Sequence, residues 1–427
     1  MDDSGSHRVG SGARTQGGGS GIPADRLPAK AGDALDLLEG ITVLDLTTSV
    51  AGPYAGQLLG DMGADVIKVE RPGTGDDCRA WGPPFLDGES LWFLAVNRNK
   101  RSLTLDYAAD RGRKILSDLV KRADVVLVNV VGRVQRKLGI DHETLKPINP
   151  ALVHVTISGF GLEGARADMP CYDLIAEGYS GVMDMTGELE NLPQKVGTPA
   201  ADMLAGHDAA MSAVAALFRR ERKGRGCAID VSMIESMTRF MAPRISPFLG
   251  SGELLRRSGA RDSVIAIYQA FETADKPLTL ALGNDAIWKR FWAALGEPEF
   301  ADRPEYASNA DRRANRPVLV ERIAAILLMR KCDEWLELFR DARIPSGPIS
   351  RLDEVAADAE LQARGFLYSV MRGGVSVPQI GLGIGFDGAT EGPRLAPRLG
   401  EHSNEILADW LGFGESQIED LRAGGIV

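Results

Sequence analysis

The stretch Gly40-Ile-Thr-Val-Leu-Asp-Leu46, continued by Val50-Ala-Gly-Pro53 and Ala64-Asp-Val-Ile-Lys-Val-Glu70, decides how the chain folds. Ile41 to Leu46 is a β-branched apolar run that reads as a strand. Pro53 suits the first turn of a helix through Gln57-Leu-Leu59, since its ring presets the helical φ. Ala64 to Glu70 reads as a second strand, so the whole is a strand-helix-strand unit of the parallel type. The pattern recurs downstream. Ser102 to Asp106 is extended, Gly112 to Arg122 helical, Asp124 to Val130 extended, His142 to Leu145 a short helix and Leu152 to Ile157 extended. Such alternation predicts an α/β fold, a Rossmann-like parallel sheet with helices on both faces.

A sheet of this kind raises the question of a dinucleotide. The first turn, Thr47-Thr-Ser-Val-Ala-Gly-Pro-Tyr-Ala-Gly56, lacks GxGxxG, and Pro53 stands where the backbone would approach a pyrophosphate. Glu70 ends the second strand and reads either as a ribose-binding acid or as a strand-end surface charge.

Farther on, Val196-Gly-Thr-Pro-Ala-Ala-Asp-Met-Leu-Ala-Gly206 passes through a Pro-containing turn into a helix that runs to Lys223 and stops at Gly224. Met203, Leu204, Ala210, Met211, Val214 and Leu217 recur at helical spacing. Asp202 falls at the helix start. It reads as an N-cap or, by the same electrostatics, as a carboxylate kept ionised by the helix dipole and free amides, ready to attack an activated acyl group. A strand, Ala228 to Ser232, and a helix to about Phe240 follow. Composition then shifts: Ile265 to Thr273 and Leu278 to Leu282 resemble a strand pair, and helices follow at Asp285 to Leu295, Arg313 to Leu328 and Cys332 to Arg340. This part is expected to be a smaller α+β domain. Gly400 to Leu411 reads as a helix returning to the first domain. The expected division is a disordered tail over 1–37, a large domain over 38–245, a small domain over 246–345, and a return segment over 346–427.

The 427 residues are 44% hydrophobic and 25% charged, ordinary for a globular protein, and the net charge of -10 argues against nucleic acid as a main partner. Cys78, Cys171, Cys227 and Cys332 show no CxxC spacing, and the five histidines show no HxxxH or HxH, so a metal site is not expected. No apolar run is long enough to span a bilayer, and a cytoplasmic protein with reduced thiols fits best. Lys68, Arg71, Arg79, Arg98, Lys100 and Arg101 cluster after the second strand and before the third. They read either as contacts for a phosphate or purine, or as a solvated surface. Trp81, Trp92, Phe93 and Tyr172 read as core, or as the walls of a pocket that keeps water from a reactive acyl group.

Gly40-Ile-Thr-Val-Leu-Asp-Leu, Ala51-Gly-Pro53, Gly63-Ala-Asp-Val-Ile-Lys-Val-Glu-Arg-Pro-Gly73 and Asn97-Arg-Asn-Lys-Arg-Ser102 closely resemble the class III CoA-transferases. The likeness continues through Leu138-Gly139, Ser158-Gly-Phe-Gly161, Tyr172-Asp173, Val196 to Asp202, Ile344-Pro-Ser-Gly-Pro348 and Ala396-Pro-Arg-Leu-Gly-Glu-His402. The resemblance implies that Asp202 is the nucleophile that attacks an acyl-CoA thioester. Exchange would then run through aspartyl anhydride and thioester intermediates, so that CoA passes to a carboxylic acid without hydrolysis. It further implies an acyl pocket at Val50, Trp81, Trp92, Tyr172 and Asp173, CoA contacts at Arg71, Arg79, Leu105, Asn129, Val130 and Lys137, and an interlocked homodimer. CoA enters as substrate, with no permanently bound cofactor and no membrane partner. Val50 stands where formyl-CoA transferases carry glutamine, and no glycine-rich run occurs over 245–262 to form their active-site cover, which argues against formate or oxalate. The usual Asn-Phe-x-Pro-Gly turn reads Asn129-Val-Val-Gly-Arg133. Tyr172 replaces the histidine of the related acyl-CoA racemases, and a phenol is a poor α-proton base near neutrality. The rival readings are an acyl-CoA racemase or isomerase, and a non-catalytic acyl-CoA binding protein.

Overall fold

The computed structural model describes residues 23–30, 35–390, 392 and 394–427. Six strands make one wholly parallel sheet: β1 (Thr42–Asp45), β2 (Asp65–Glu70), β3 (Lys100–Thr104), β4 (Val125–Val128), β5 (Val153–Ser158) and β6 (Cys227–Ser232). Their spatial order is β3-β2-β1-β4-β5-β6. The chain therefore winds outward from β1 in one direction and from β4 in the other. Between the carboxyl ends of β1 and β4 lies the crevice where such sheets bind ligands.

Side chains alternate across the sheet as strand geometry requires. Val43, Val66, Val125 and Val153 face a core shared with α1 (Ala51–Asp61), α5 (Asp173–Ser180), α6 (Ala200–Lys223) and α7 (Met233–Phe240). Leu44, Ile67, Leu103 and Val126 face a second core closed by α3 (Asp110–Val120) and by two C-terminal helices, α12 (Ser403–Leu411) and α13 (Glu415–Ala423). Ile406 and Leu407 of α12 are fully buried there, so the chain end does return to the large sheet. Between β6 and this return the chain builds a third core of aromatic residues, among them Trp288, Phe291, Trp292 and Phe339. It joins α9 (Asp285–Ala294), α10 (Arg316–Leu327) and α11 (Cys332–Asp341) to an antiparallel sheet of β7 (Tyr268–Phe271), β8 (Leu278–Ala281) and β9 (Ser346–Pro348). A hairpin of β10 (Leu367–Arg372) and β11 (Val375–Ile380) follows, which periodicity in the sequence did not announce.

Two expectations change. Residues 1–22 and 31–34 of the expected tail lie outside the described residues, but Pro23–Arg26 forms a turn of 3-10 helix, and Pro28 O accepts a hydrogen bond from Ser369 N at 2.9 Å. Ala24 and Leu35 are buried, so this part of the stretch does have something to bury. The apolar stripe read on α6 is only part of its core face: Ala210 and Leu217 are buried and Leu204 and Val214 pack against the same core, but Met211 points outward. The buried residues are mainly small (Ala201, Ala205, Gly206, Ala209, Ala213, Ala216), while Met211 and Phe218 are more than half exposed. Close packing against α1 explains the choice: a Cβ on Gly206 would stand 2.5 Å from the Ala51 carbonyl oxygen.

Candidate active site

The turn from β1 into α1 is built by a chain of buried charges. Asp45 pairs with Lys100 at 2.8 Å and also accepts from Thr47 N and Oγ1. Lys68 Nζ donates to Thr47 O at 2.9 Å and pairs with Asp76, whose Oδ1 accepts from Ser49 N at 2.9 Å. Asn129, at the end of β4, holds the same turn from the other side: its Oδ1 accepts from Thr48 N and its Nδ2 donates to Thr48 O. Ser49 is thereby kept at φ 71°, and Val50 is buried at the start of α1. Burial alone would raise the Asp45 carboxyl, but the ammonium groups of Lys100 and Lys68 outweigh it and hold the pKa at about 2. Burial likewise pushes Lys100 down to about 8 against the pull of Asp45.

This network decides the reading of the basic cluster, and it is neither of the two offered by the sequence. Lys68, Arg98 and Lys100 are buried, the first and last paired with Asp76 and Asp45 and Arg98 with Asp61. Arg101 pairs with Asp65 and Glu405. Arg79 clamps Glu70 with two hydrogen bonds of 2.8 Å, donates to Pro397 O and lies 3.6 Å over the Phe93 ring. Glu70 is accordingly neither a surface charge nor a free ribose acceptor; Arg79, Ser102 Oγ and Asp76 N take up its oxygens. Arg71 differs from the rest. Its side chain is 58% exposed and, among the described residues, pairs only with the equally exposed Asp77 and the Gly75 carbonyl. Leu105 is fully buried in the second core, Val130 accepts from Gln135 Nε2 through its carbonyl, and Lys137 is exposed in the last turn of α4 (Gly132–Leu138). Trp81 and Trp92 do meet, edge to face at 5.9 Å, while Tyr172 is exposed just before α5 and makes no ring contact with either among the described residues.

Asp202 stands in a different environment. It is the third residue of α6 and not its cap, a position held by Pro199, which offers no side-chain acceptor. The free amides are capped instead from α5: Asp173 Oδ1 accepts from Ala201 N at 2.8 Å and from Asp202 N at 3.3 Å. The Asp202 carboxylate itself accepts no hydrogen bond from the described residues, and it is partly buried. Burial, and then the charge of Asp173, push its pKa up to about 7. The sequence reading, in which amides and dipole favour the ionised form, is thus reversed, because Asp173 takes the amides that would have done so.

Two neighbours were missed from sequence. Cys171 lies close enough for the charge of Asp202, after burial, to push its thiol up to about 11; it packs on Gly159, where a Cβ would fall 2.1 Å from its own. Glu177 is one helical turn after Asp173 on α5, a spacing that places both on one face. It is fully buried, and its Oε2 accepts from Val196 N at 2.9 Å. No cluster of three potential metal ligands occurs among the described residues. What the site offers is a desolvated, unbonded carboxylate at a helix start, beside the sheet that carries the ligand crevice.

Fold and site together define a doubly wound α/β enzyme of acyl transfer. The chain belongs to CoA-transferase family III, whose model matches residues 38–403, and it is a CoA-transferase that moves CoA from an acyl-CoA to a carboxylic acid. It is 35% identical over 413 residues to the succinyl-CoA:glutarate CoA-transferase of Mus musculus, covering 96% of this chain and 94% of the relative. It is 38% identical over 380 residues to the succinate–glutarate CoA-transferase of Agrobacterium fabrum, covering 87% and 95%. The crystal structure of a CAIB/BAIF family protein from Brucella suis superposes with a TM-score of 0.78 at 37% identity, over 87% of this chain and 99% of that one. No described helix is long and apolar enough to cross a membrane.

Proposed function

We propose that Asp202 is the covalent nucleophile and that the acids exchanged include short dicarboxylates. The observation that carries the first part is the environment of Asp202: partly buried, without a hydrogen bond, and close to half ionised near neutrality. In the scheme this supports, Asp202 attacks the thioester carbonyl, the C–S bond breaks, and CoA leaves as thiolate from a mixed anhydride. The thiolate attacks the aspartyl carbonyl, releasing the donor acid and leaving an aspartyl-CoA thioester. The acceptor carboxylate displaces CoA to form a second anhydride, and the returning thiolate takes the new acyl group and frees Asp202. Each step exchanges one acyl bond for another, so no water is consumed. The dicarboxylate class rests on the names of the mouse and Agrobacterium relatives.

The site works as part of a homodimer in this reading. Tyr172, Leu174, Ile175 and Tyr179 of the α5 region, with Met211, Phe218 and Phe240, leave an unusual amount of large apolar surface exposed. The next helix, α8 (Ala242–Ser251), is apolar on much of its length and buries none of its residues. An interlocked second copy would cover these faces. CoA would lie along the crevice past Arg71 and the Asn129 turn, with Val50, Trp81, Trp92 and Tyr172 toward the acyl group, and the enzyme would work in the cytoplasm.

The test is a mass-spectrometric exchange screen in which purified protein meets panels of acyl-CoAs and free acids beside Asp202→Ala. New acyl-CoA products that vanish in the variant, and a CoA adduct on the peptide containing Asp202 in the wild type, are expected. Full exchange by the variant would overturn the assignment.

A further inference from the structure

Beside Asp202 lie two further carboxyls, Glu177 buried and Asp173 half-buried, that the exchange scheme leaves unused. Glu177 is wholly inaccessible to solvent, and its Oε1 has no donor among the described groups. Asp173 lies within hydrogen-bonding reach of it on the same helix face. Asp173 in turn offers Oδ1 to the amides of Ala201 and Asp202. The burial of Glu177 and like charge at such a contact both disfavour two ionised carboxylates, and a single proton between them satisfies the orphan oxygen at once.

We propose that Glu177 holds this proton and donates it to Asp173, so that the two act as positioning residues for Asp202. The relay is linear. Val196 N–H donates to Glu177 Oε2, Glu177 Oε1–H donates to Asp173, and Asp173 Oδ1 accepts the two amides that open α6. Glu177 is therefore neutral and Asp173 anionic. The relay fixes the segment before α6 and the first turn of α6 to one rigid frame, and it withholds the helix amides from the reacting carboxylate. A nucleophile left without donors is more basic and more reactive once ionised. Burial and the charge of Asp173 hold the Glu177 carboxyl above its ordinary range, which agrees with the proton's being there. The other groups of the neighbourhood do not compete for this proton. Lys195 donates to Val196 O and is exposed, Cys171 is held as a thiol, Asp208 is bound by Arg239 and Ser236 of α7, and on α1 the titratable neighbour is the Tyr54 phenol, whose pKa burial raises further.

The inference rests on Asp202 being the reacting group, and the test separates the two. Glu177→Gln keeps a donor toward Asp173 and an acceptor toward Val196, whereas Glu177→Leu removes both. Glu177→Leu is expected to lose at least tenfold in kcat with the acyl-CoA KM within about twofold, and Glu177→Gln to recover most of that loss. Asp173→Asn keeps the amide cap but moves the charge one shell away, so the acid limb of kcat/KM is expected to move down by about one pH unit. Infrared spectra of Asp202→Asn at neutral pH are expected to show the carbonyl stretch of a protonated carboxyl that disappears on adding Glu177→Gln, a readout that needs no activity. A Gln variant no better than Leu, an unmoved acid limb, or no carboxyl band lost with Glu177 would each overturn the proposal. If Asp202→Ala still exchanges CoA, the nucleophile assignment fails instead.

Discussion

Two parts of the large domain gather charge, and they treat it in opposite ways. Around β1, β2 and β3, Asp45, Lys68, Glu70, Asp76, Arg79, Arg98 and Lys100 are drawn into the protein and matched cation to anion, with the turn backbone as further partner. At the start of α6, three carboxyls (Asp173, Glu177, Asp202) meet, none of them in an ion pair among the described residues, and the Asp202 carboxylate accepts no hydrogen bond there. In the first region attraction to the lysines holds the Asp45 carboxyl down at about 2 and the pairing makes the geometry stiff. In the second, burial and like charge raise a carboxyl pKa to about 7. Paired charge stiffens the turns beside the crevice; burial and like charge leave a carboxyl at the start of α6 easy to protonate.

The comparison breaks most visibly at Asp202. Asp202→Ala should lose CoA exchange by about a thousandfold or more, roughly 4 kcal/mol of transition-state stabilisation, while the circular dichroism spectrum stays unchanged. In the paired region the loss should take the other form. Lys100→Met takes from buried Asp45 its ion-pair partner and should destabilise folding by roughly 3 kcal/mol, read as a lowered urea midpoint. Adding Asp45→Leu should recover much of it, since removing both partners is far milder than removing one.

Stability against pH sharpens the contrast further. The Asp202 carboxyl has an ordinary pKa of 3.8 and about 7 in the folded protein. The folded state therefore binds its proton more tightly, and stability from this group is full below 3.8 and lost as pH rises toward 7. Asp202→Asn abolishes that loss, so the variant should be more stable than the wild type at neutral pH by roughly 2–3 kcal/mol, with the difference vanishing near pH 4. Thermal melts of both proteins across this range would show it; equal melting at neutral pH would mean that the carboxylate is not strained in place.

How much of this was legible in the sequence follows from the same physics. The parallel sheet was readable because β1, β2, β4 and β5 are short runs rich in β-branched residues that alternate with helical segments, and the extent of α6 because Pro199 and Gly224 bracket it. The placement of Asp202 was readable from the resemblance, but its electrostatics were not. A sequence shows that an Asp lies near a helix start; it does not show that another carboxylate, 29 residues earlier, already caps the amides. For the same reason the cluster of basic residues looked like a binding surface. Their partners Asp45, Asp61 and Asp65 come from strands and helices that only the fold brings alongside, so nothing local marks Lys68 or Lys100 as buried. Ala201, Ala205, Gly206, Ala209 and Ala213 of the α6 core face went unread because alanine and glycine at a close helix crossing carry no hydrophobic signal.

The smallest effect is expected where the two regions grade into each other, at the end of β2. Arg71 and Arg79 are eight residues apart and of one chemistry, yet Arg79 is held by Glu70 and Phe93 while Arg71 reaches solvent. An exposed pair with Asp77 contributes little to folding, so a phosphate can take the guanidinium over at small loss. Arg71→Ala should therefore raise the acyl-CoA KM by about three- to tenfold, with kcat and the melting temperature nearly unchanged and the effect shrinking as salt is added. Arg79→Ala should do the reverse, lowering the melting temperature by removing a buried partner of Glu70 while leaving the salt dependence of KM alone. If both variants changed KM and neither changed stability, the guanidinium of Arg79 would be a CoA ligand, and pairing would not distinguish the residues that build this crevice from those that use it.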